Sequence, residues 1–311
     1  NNFKEKNNIN ANRDNSAATG GLYAQHTWDA TEKIKLETGL RIDIANYKNN
    51  IYSNTETFVL PRISLLVKYN SAWASRISAG MGYKTPTLFT EETETIQYKN
   101  VAQLMDVKSE KSYGGTADVN FKTNINENLS FSFNQMFFYT LIQKPLILVT
   151  GAGGKHNFIN AGKAVTSTGF ETNVKFIYKE NFKLFLGYTF TDANAKYRTG
   201  QSFLPLVPSH KLNTALIYEK EGVIKLGLEG YFTGRQYLND GSRTPAFKEL
   251  GFMAEKIFNK FSLFINFENF TDTRQGKYKN VVSGTHTSPV FDEIWTHTEG
   301  FVVNGGIKIK L

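Results

Sequence analysis

Apolar and polar residues alternate with a period of two to the last residue of this chain. Phe301, Val303, Gly305, Ile307, Ile309 and Leu311 alternate with Val302, Asn304, Gly306, Lys308 and Lys310. Upstream, Phe261, Leu263, Ile265 and Phe267 alternate with Ser262, Phe264, Asn266 and Glu268. A period of two puts one set on each face of a strand. The same alternation runs through most of the chain, so β-strands dominate whatever it folds into.

The connections constrain the fold further. Asn1 to Thr19 is Asn-rich and reads as loop, and a first strand is expected over Gly21 to Trp28. A turn at Asp29 to Glu32 leads into a strand with Ile34, Leu36, Leu40, Ile42 and Ile44 on one face. Ala45 to Phe58 reads as a polar loop. Then come a hairpin turning at Asn70 to Ala72, a long polar excursion from Lys84 to Lys111, and a hairpin turning at 124–128. Gln143 to Ala164 reads as irregular. Later hairpins turn at 179–181, 220–222 and 259–260, separated by loops at 192–208, about 233–248 and 273–299. About thirteen strands near ten residues long follow one another with no helix between, their connections alternating short and long. A soluble sandwich gives no reason for that alternation. A transmembrane up-and-down barrel does, with short periplasmic turns and long external loops. About 9–11 tilted residues cross a bilayer. The fold class expected is therefore all-β: a transmembrane antiparallel up-and-down β-barrel, present in part.

Composition agrees. Phe 25 and Tyr 15 are high among 311 residues, which favours strands. With no cysteine, disulfides and thiolate metal sites are excluded. No apolar run approaches the ~18 residues of a membrane helix. The net charge of +8 favours anionic partners, but the lysines are scattered through strands and turns, so no nucleic-acid partner is expected. No charged-then-apolar leader is visible at the start. Trp28, Tyr69, Trp73 and Tyr218 fall near short turns, where an interfacial aromatic belt is expected.

Several stretches resemble the C-terminal part of the barrel of a TonB-dependent outer-membrane receptor, of the Bacteroidetes type related to ferric-siderophore receptors. GLYAQHTW followed by KLETGLRID resembles a hairpin repeated in that family, and PRISLLVKYN with SRISAGMGYKTPTLF resembles its next one. KSEKS (Lys108 to Ser112) resembles a Leu-Lys-Pro-Glu-Lys-Ser strand start, with Ser109 where proline is usual. Pro208 and His210 match a Pro-x-His strand start, and Asn269, Phe270 and Asp272 match an Asn-Leu-Phe-Asp motif. The resemblance implies a plugged barrel of about 22 strands. The plug domain and TonB box have no counterpart, so residues 1–311 are expected to be the C-terminal portion of the barrel, with the N-terminus cut and the C-terminus genuine. Such barrels end in an assembly signal, and Asn304, Gly306, Ile309 and Leu311 occupy its places, with leucine for the usual terminal aromatic.

What the resemblance implies is uptake of a metal chelate, a ferric siderophore first, across the outer membrane of a Gram-negative bacterium. Cobalamin, haem, a glycan or a peptide are alternatives within transport; a passive porin or adhesin is the alternative outside it. Implied partners are outer-membrane lipid and lipopolysaccharide, the TonB-ExbB-ExbD system acting through the plug and TonB box, and the barrel-assembly machinery. Aromatic and Arg side chains suit anionic, aromatic chelates. Candidate ligand contacts in the external loops are Tyr98, Lys99, Tyr197, Arg198, His286, Trp295 and His297. Glu91, Glu92 and Glu94 form an acidic cluster for a cation, or a merely solvated loop. GAGGKH (151–156) lacks the Ser/Thr and helix of a phosphate loop and reads as a loop tip. No metal site is expected from the five histidines. No Ser-His-Asp set, catalytic carboxylate pair or nucleophile elbow is present, so neither an enzyme nor a cofactor is expected.

Overall fold

A computed structural model describes residues 2–5, 14–96 and 98–309. The strands are β1 (Asn2–Glu5), β2 (Asn15–Asp29), β3 (Ile34–Asn49), β4 (Ser53–Lys68), β5 (Trp73–Lys84), β6 (Glu110–Asn126), β7 (Leu129–Gln143), β8 (Leu146–Thr150), β9 (His156–Asn160), β10 (Val165–Tyr178), β11 (Phe182–Ala195), β12 (His210–Lys220), β13 (Ile224–Thr233), β14 (Phe247–Ile257), β15 (Phe261–Glu268), β16 (Val282–Thr285), β17 (Ser288–Phe291) and β18 (Val302–Ile309). Fourteen of them form one antiparallel sheet in chain order, from β1 at one edge to β18 at the other. β8–β9 and β16–β17 are separate hairpins within the loops. Among the described residues one α-helix, α1, is present, covering Glu91–Thr95.

Register pins the two faces. One row across the sheet runs Leu65, Ile77, Ala117, Phe137, Phe170, Phe190. Another runs Phe131, Phe176, Leu184, Leu216, Leu228, Phe252, Phe267, Val303. These belong to the outer face, where Ile77, Phe137, Leu216, Leu228 and Ile265 stay exposed, the apolar outward band expected of a transmembrane barrel wall. The intervening residues are polar and face the other way: Arg62 beside Glu37, Arg76 beside Asp118, Lys308 beside Glu255. Trp28, Tyr69 and Trp73 are exposed near the short turns, and Tyr218 packs on Phe182 beside another. That is the belt position expected for rings with a polar edge.

All thirteen expected strands are present in the main sheet, where β1 is the additional one; β8–β9 and β16–β17 are hairpins in the stretches 143–164 and 273–299 that read as irregular and as loop. The loop reading of residues 1–19 is corrected by β1 and by the start of β2 at Asn15. The loop reading of Ala45 to Phe58 fails too: β3 and β4 stay paired from Lys48–Ser53 downward, leaving only residues 50–52 as the turn. Asn49 Oδ1 accepts from Ile51 and Tyr52 backbone N–H, and Asn46 Nδ2 donates to Thr55 Oγ1 at 2.8 Å. Above the membrane these strands need no apolar alternation, because water and the ladder satisfy their polar residues. GAGGKH forms the tip of the β8–β9 hairpin.

The buried apolar cluster also lies above the sheet's lipid band. Tyr47, Leu88, Leu104, Val107 and Phe158 join the β3 extension to the 85–109 excursion and the β8–β9 hairpin.

The face assignment is testable. Ile265 faces out between Ala254 and Gly305, whereas Asn266 faces in and donates to Asn304 Oδ1 at 3.0 Å. Ile265→Lys in the intact protein is expected to cost about 2–4 kcal/mol on folding into lipid. Asn266→Lys should cost clearly less; denaturant midpoints in vesicles compare the two, and equal small shifts would contradict the assignment.

Candidate functional site

The loops at the long-loop end of the sheet form two cross-linked groups. In the first, Asn49 Nδ2 donates to Leu104 O at 2.7 Å and Tyr52 OH to Val107 O at 2.8 Å. Asn160 accepts from Lys108 N and donates to Lys108 O and Lys144 O, tying the β8–β9 hairpin to the neighbouring excursion. Ser109 donates through both N and Oγ to Glu56 Oε2, at 2.8 and 2.6 Å. Proline at that position would supply neither bond. α1 is fixed by a capping box between Thr90 and Thr93, and the buried Thr93 Oγ1 also donates to Leu88 O at 2.6 Å.

The second group draws on three loops after β11, β13 and β15. Gln275, fully buried, is its hub: Nε2 donates to Glu293 O, Oε1 accepts from Trp295 N, and its backbone N–H donates to His297 O. Gln236 Nε2 adds a bond to Trp295 O at 3.2 Å. The Trp295 ring is 8% exposed, wedged between Phe247 and Tyr278. Asn239 bridges the other two loops. Arg198 donates to its Oδ1 and O, and Asn239 donates through N and Nδ2 to the two carboxylate oxygens of Glu293, at 2.9 and 2.7 Å. Burial pushes the Glu293 carboxyl above its usual range, although the Asn239 N–H groups pull the other way. Burial likewise pushes the Tyr197 hydroxyl up.

Between the groups lies a cleft of about 530 Å³. Glu92 and Glu94 line one side; Tyr197, Arg198, Leu206 and Phe291 line the other. A second cleft of about 680 Å³ adjoins it through Leu206 and Ile294 and reaches the inner face at Lys211, Tyr231 and Glu249. There His297 Nε2 lies 2.9 Å from Glu249 Oε1.

Of the residues singled out in sequence, Tyr197 and Arg198 line the first cleft and Trp295 and His297 the second. Tyr98 and Lys99 follow α1 outside both linings, with the Tyr98 ring 5.5 Å from Phe89. His286 sits in the turn of the β16–β17 hairpin, outside both. Asn239, Gln236, Gln275 and Glu293 carried no sequence signal, because each acts only through loops that meet in space. Among the described residues no group of His, Asp and Glu is placed to hold a metal ion. In β18, Asn304 donates to Glu268 Oε1, Gly306 lies under the Phe264 ring and Ile309 is exposed; Leu311 lies outside the described residues.

The Asn239 bridge makes a local prediction. Asn239→Ala removes bonds to both Arg198 and Glu293, and hydrogen exchange in segments 196–206 and 290–296 is expected to rise about five- to tenfold, as for the loss of about 1 kcal/mol of exposed bonding. Unchanged exchange would show that the two loops hold together without it.

Residues 1–270 match the family model described as TonB dependent receptor-like, beta-barrel. Solved structures share the fold. The FrpB iron transporter from Neisseria meningitidis superposes with a TM-score of 0.68 at 14% identity, over 94% of this chain and 45% of that one. The ferric yersiniabactin uptake receptor FyuA from Yersinia pestis gives 0.67 at 16% identity, over 94% and 45%. The copper transporter OprC gives 0.70 at 13% identity, over 94% and 47%. The chain thus spans less than half the length of these structures. With the family match over most of its length and the barrel-type sheet, this chain belongs to the TonB-dependent receptor-like β-barrel family.

Proposed function

We propose that this chain is the C-terminal part of the barrel of an outer-membrane TonB-dependent receptor that takes up a metal chelate, a ferric siderophore in the first instance. The observation that carries the reading is the pair of adjoining clefts built from the long loops, open at the long-loop end and continuing to the inner face. Tyr197, Arg198 and His297 are the side chains assigned to ligand contact, offering aromatic faces, a guanidinium and an imidazole to an oxygen-rich chelate. Trp295 supports them from beneath, since its ring is packed between Phe247 and Tyr278. The short turns face the periplasm and the long loops the exterior in this reading. The coverage of less than half of each related structure supports a larger protein, whose remainder includes the plug and the contact with the TonB-ExbB-ExbD system. A Bacteroidetes-type receptor inserted by the barrel-assembly machinery through the β18 residues Asn304, Gly306 and Ile309 completes the proposal. The role is transport, not catalysis.

Deleting the gene should abolish growth on one class of ferric chelate as sole iron source while leaving ferrous iron use intact. Arg198→Ala in the intact receptor should weaken uptake of that chelate about fivefold or more, as for one charge-assisted contact. Unchanged growth on every iron source, with lost growth on cobalamin, haem, a glycan or a peptide, would move the substrate to that class.

A further inference from the structure

The outward face carries a second line of rings, at the long-loop end of the sheet. Register puts Phe170, Tyr188, Phe190, His210, Phe232 and Phe267 on the same face as Phe137 and Leu216. Phe170 meets Tyr188 at 5.9 Å and Phe190 at 5.7 Å, and Tyr188 OH lies 2.8 Å from His210 Nδ1. Phe190 is about 26 Å along β11 from Phe182 at the short turn, roughly 20 Å in height at the usual tilt. These rings therefore mark the second edge of an apolar band about 25 Å tall. Strands β11 to β14 have both neighbours within this chain. Further strands of the receptor join elsewhere around the circumference, and the plug proposed above fills the opposite face.

Two basic side chains stand at and above that edge. Lys248 lies directly across from Phe232 on the outward face and is exposed. Above it, residues 236–244 double back as a small ladder in which Thr244 N donates to Gln236 O and Leu238 N to Ser242 O. Gln236, Leu238 and Thr244 are buried on its inward side, where Gln236 reaches Trp295 O. Tyr237 and Arg243 pair on the other side. The Tyr237 ring stacks on Phe203 at 3.8 Å, and Phe203 pairs with Asn194, an outward position of β11. The exposed Arg243 guanidinium lies 4.3 Å from the centre of the Tyr237 ring and donates to its hydroxyl. Five residues separate Arg243 from Lys248, at most about 18 Å of chain. Among the described residues, neither has a carboxylate within ion-pair distance. The acids nearby are already engaged: Asp192 accepts from Asn194 Nδ2, Asp240 from Ser242 N and Oγ, and Asp272 pairs with Lys277.

We propose that Arg243 and Lys248 form an outward-facing site for the phosphates of a multiply phosphorylated lipid headgroup in the outer leaflet, with its acyl chains against the Phe190–Phe232 girdle. Charge complementarity at the membrane edge carries the assignment: a guanidinium fixed on a ring offers paired donors to phosphate, and the lysine adds a second charge nearer the lipid. Asn239, which holds Arg198, sits in the same 236–244 ladder, so a headgroup on Arg243 also braces the loop beside the external cleft. The site rests on the reading that the long loops face the exterior, and it is independent of which chelate those loops accept.

The test reconstitutes the purified intact receptor in phosphatidylcholine vesicles containing lipid A with both phosphates, or the same lipid stripped of them, and measures retained lipid by native mass spectrometry. The phosphorylated lipid is expected to be retained, less so as salt rises, and inorganic phosphate should not displace it. Arg243→Gln and Lys248→Gln should each weaken retention about fivefold, and the double variant more than tenfold. Lys220→Gln with Lys256→Gln, outward at the short-turn end, should stay within about twofold of the wild type. Heat-modifiable migration confirms that each variant is folded. Equal retention of the stripped lipid, displacement by inorganic phosphate, or wild-type retention by the double Gln variant overturns the site. Orientation is read separately, by labelling Ala246→Cys with a membrane-impermeant maleimide on whole cells. Labelling only after lysis overturns the external reading and the site with it, whereas labelling on whole cells without phosphate-dependent retention overturns the site alone.

Discussion

Backbone hydrogen bonding in a solvent that offers none is the constraint on which the rest of this structure depends. Inside hydrocarbon every peptide N–H and C=O needs a protein partner, so a strand there is stable only with a neighbour on each side. The sheet meets this by pairing consecutive strands, β2 through β7 and β10 through β15, with turns of a few residues at one end. Once pairing is fixed in register, side-chain direction follows. One face is left for lipid, and Phe137, Leu216 and Ile265 occupy it; the other is left for Arg62, Asp118 and Lys308.

A consequence is that apolar burial inside the protein moves out of the sheet. The five-residue core of Tyr47, Leu88, Leu104, Val107 and Phe158 sits among loops, where water makes burial favourable. The loops need it: an excursion of some twenty-five residues closes at an entropic cost that only specific contacts offset. The second loop group uses polar means instead, with Gln275 satisfying three backbone groups of the 293–297 segment at once. The cleft between the groups therefore has one wall held by apolar packing and one held by a hydrogen-bond hub.

The strands were legible because membrane-facing alternation is strict there: a single slip of register would put lysine in lipid and phenylalanine in water. Where that penalty ends, so did legibility. Asn46, Asn49, Thr55 and their neighbours read as loop by composition, yet they continue β3 and β4 as a paired extension beyond the band. The same holds for Asn15 to Gly20, whose polar residues pair with β3. Ser109 was visible only as a departure from a familial proline, and its two bonds to Glu56 explain what the departure permits. Trp295 was legible as an aromatic in an external loop, but not as a packed one.

By itself, the sequence determined the architecture: period-two alternation with long and short connections in turn, together with weak motifs in family order, led to an antiparallel barrel wall. Only the tertiary structure decided what the loop residues do together. Strand pairing is local, set by neighbours along the chain and a repeat of two residues. The clefts and the Asn239 bridge depend on residues tens of positions apart, whose proximity is created by register across several strands and has no periodic trace in the chain.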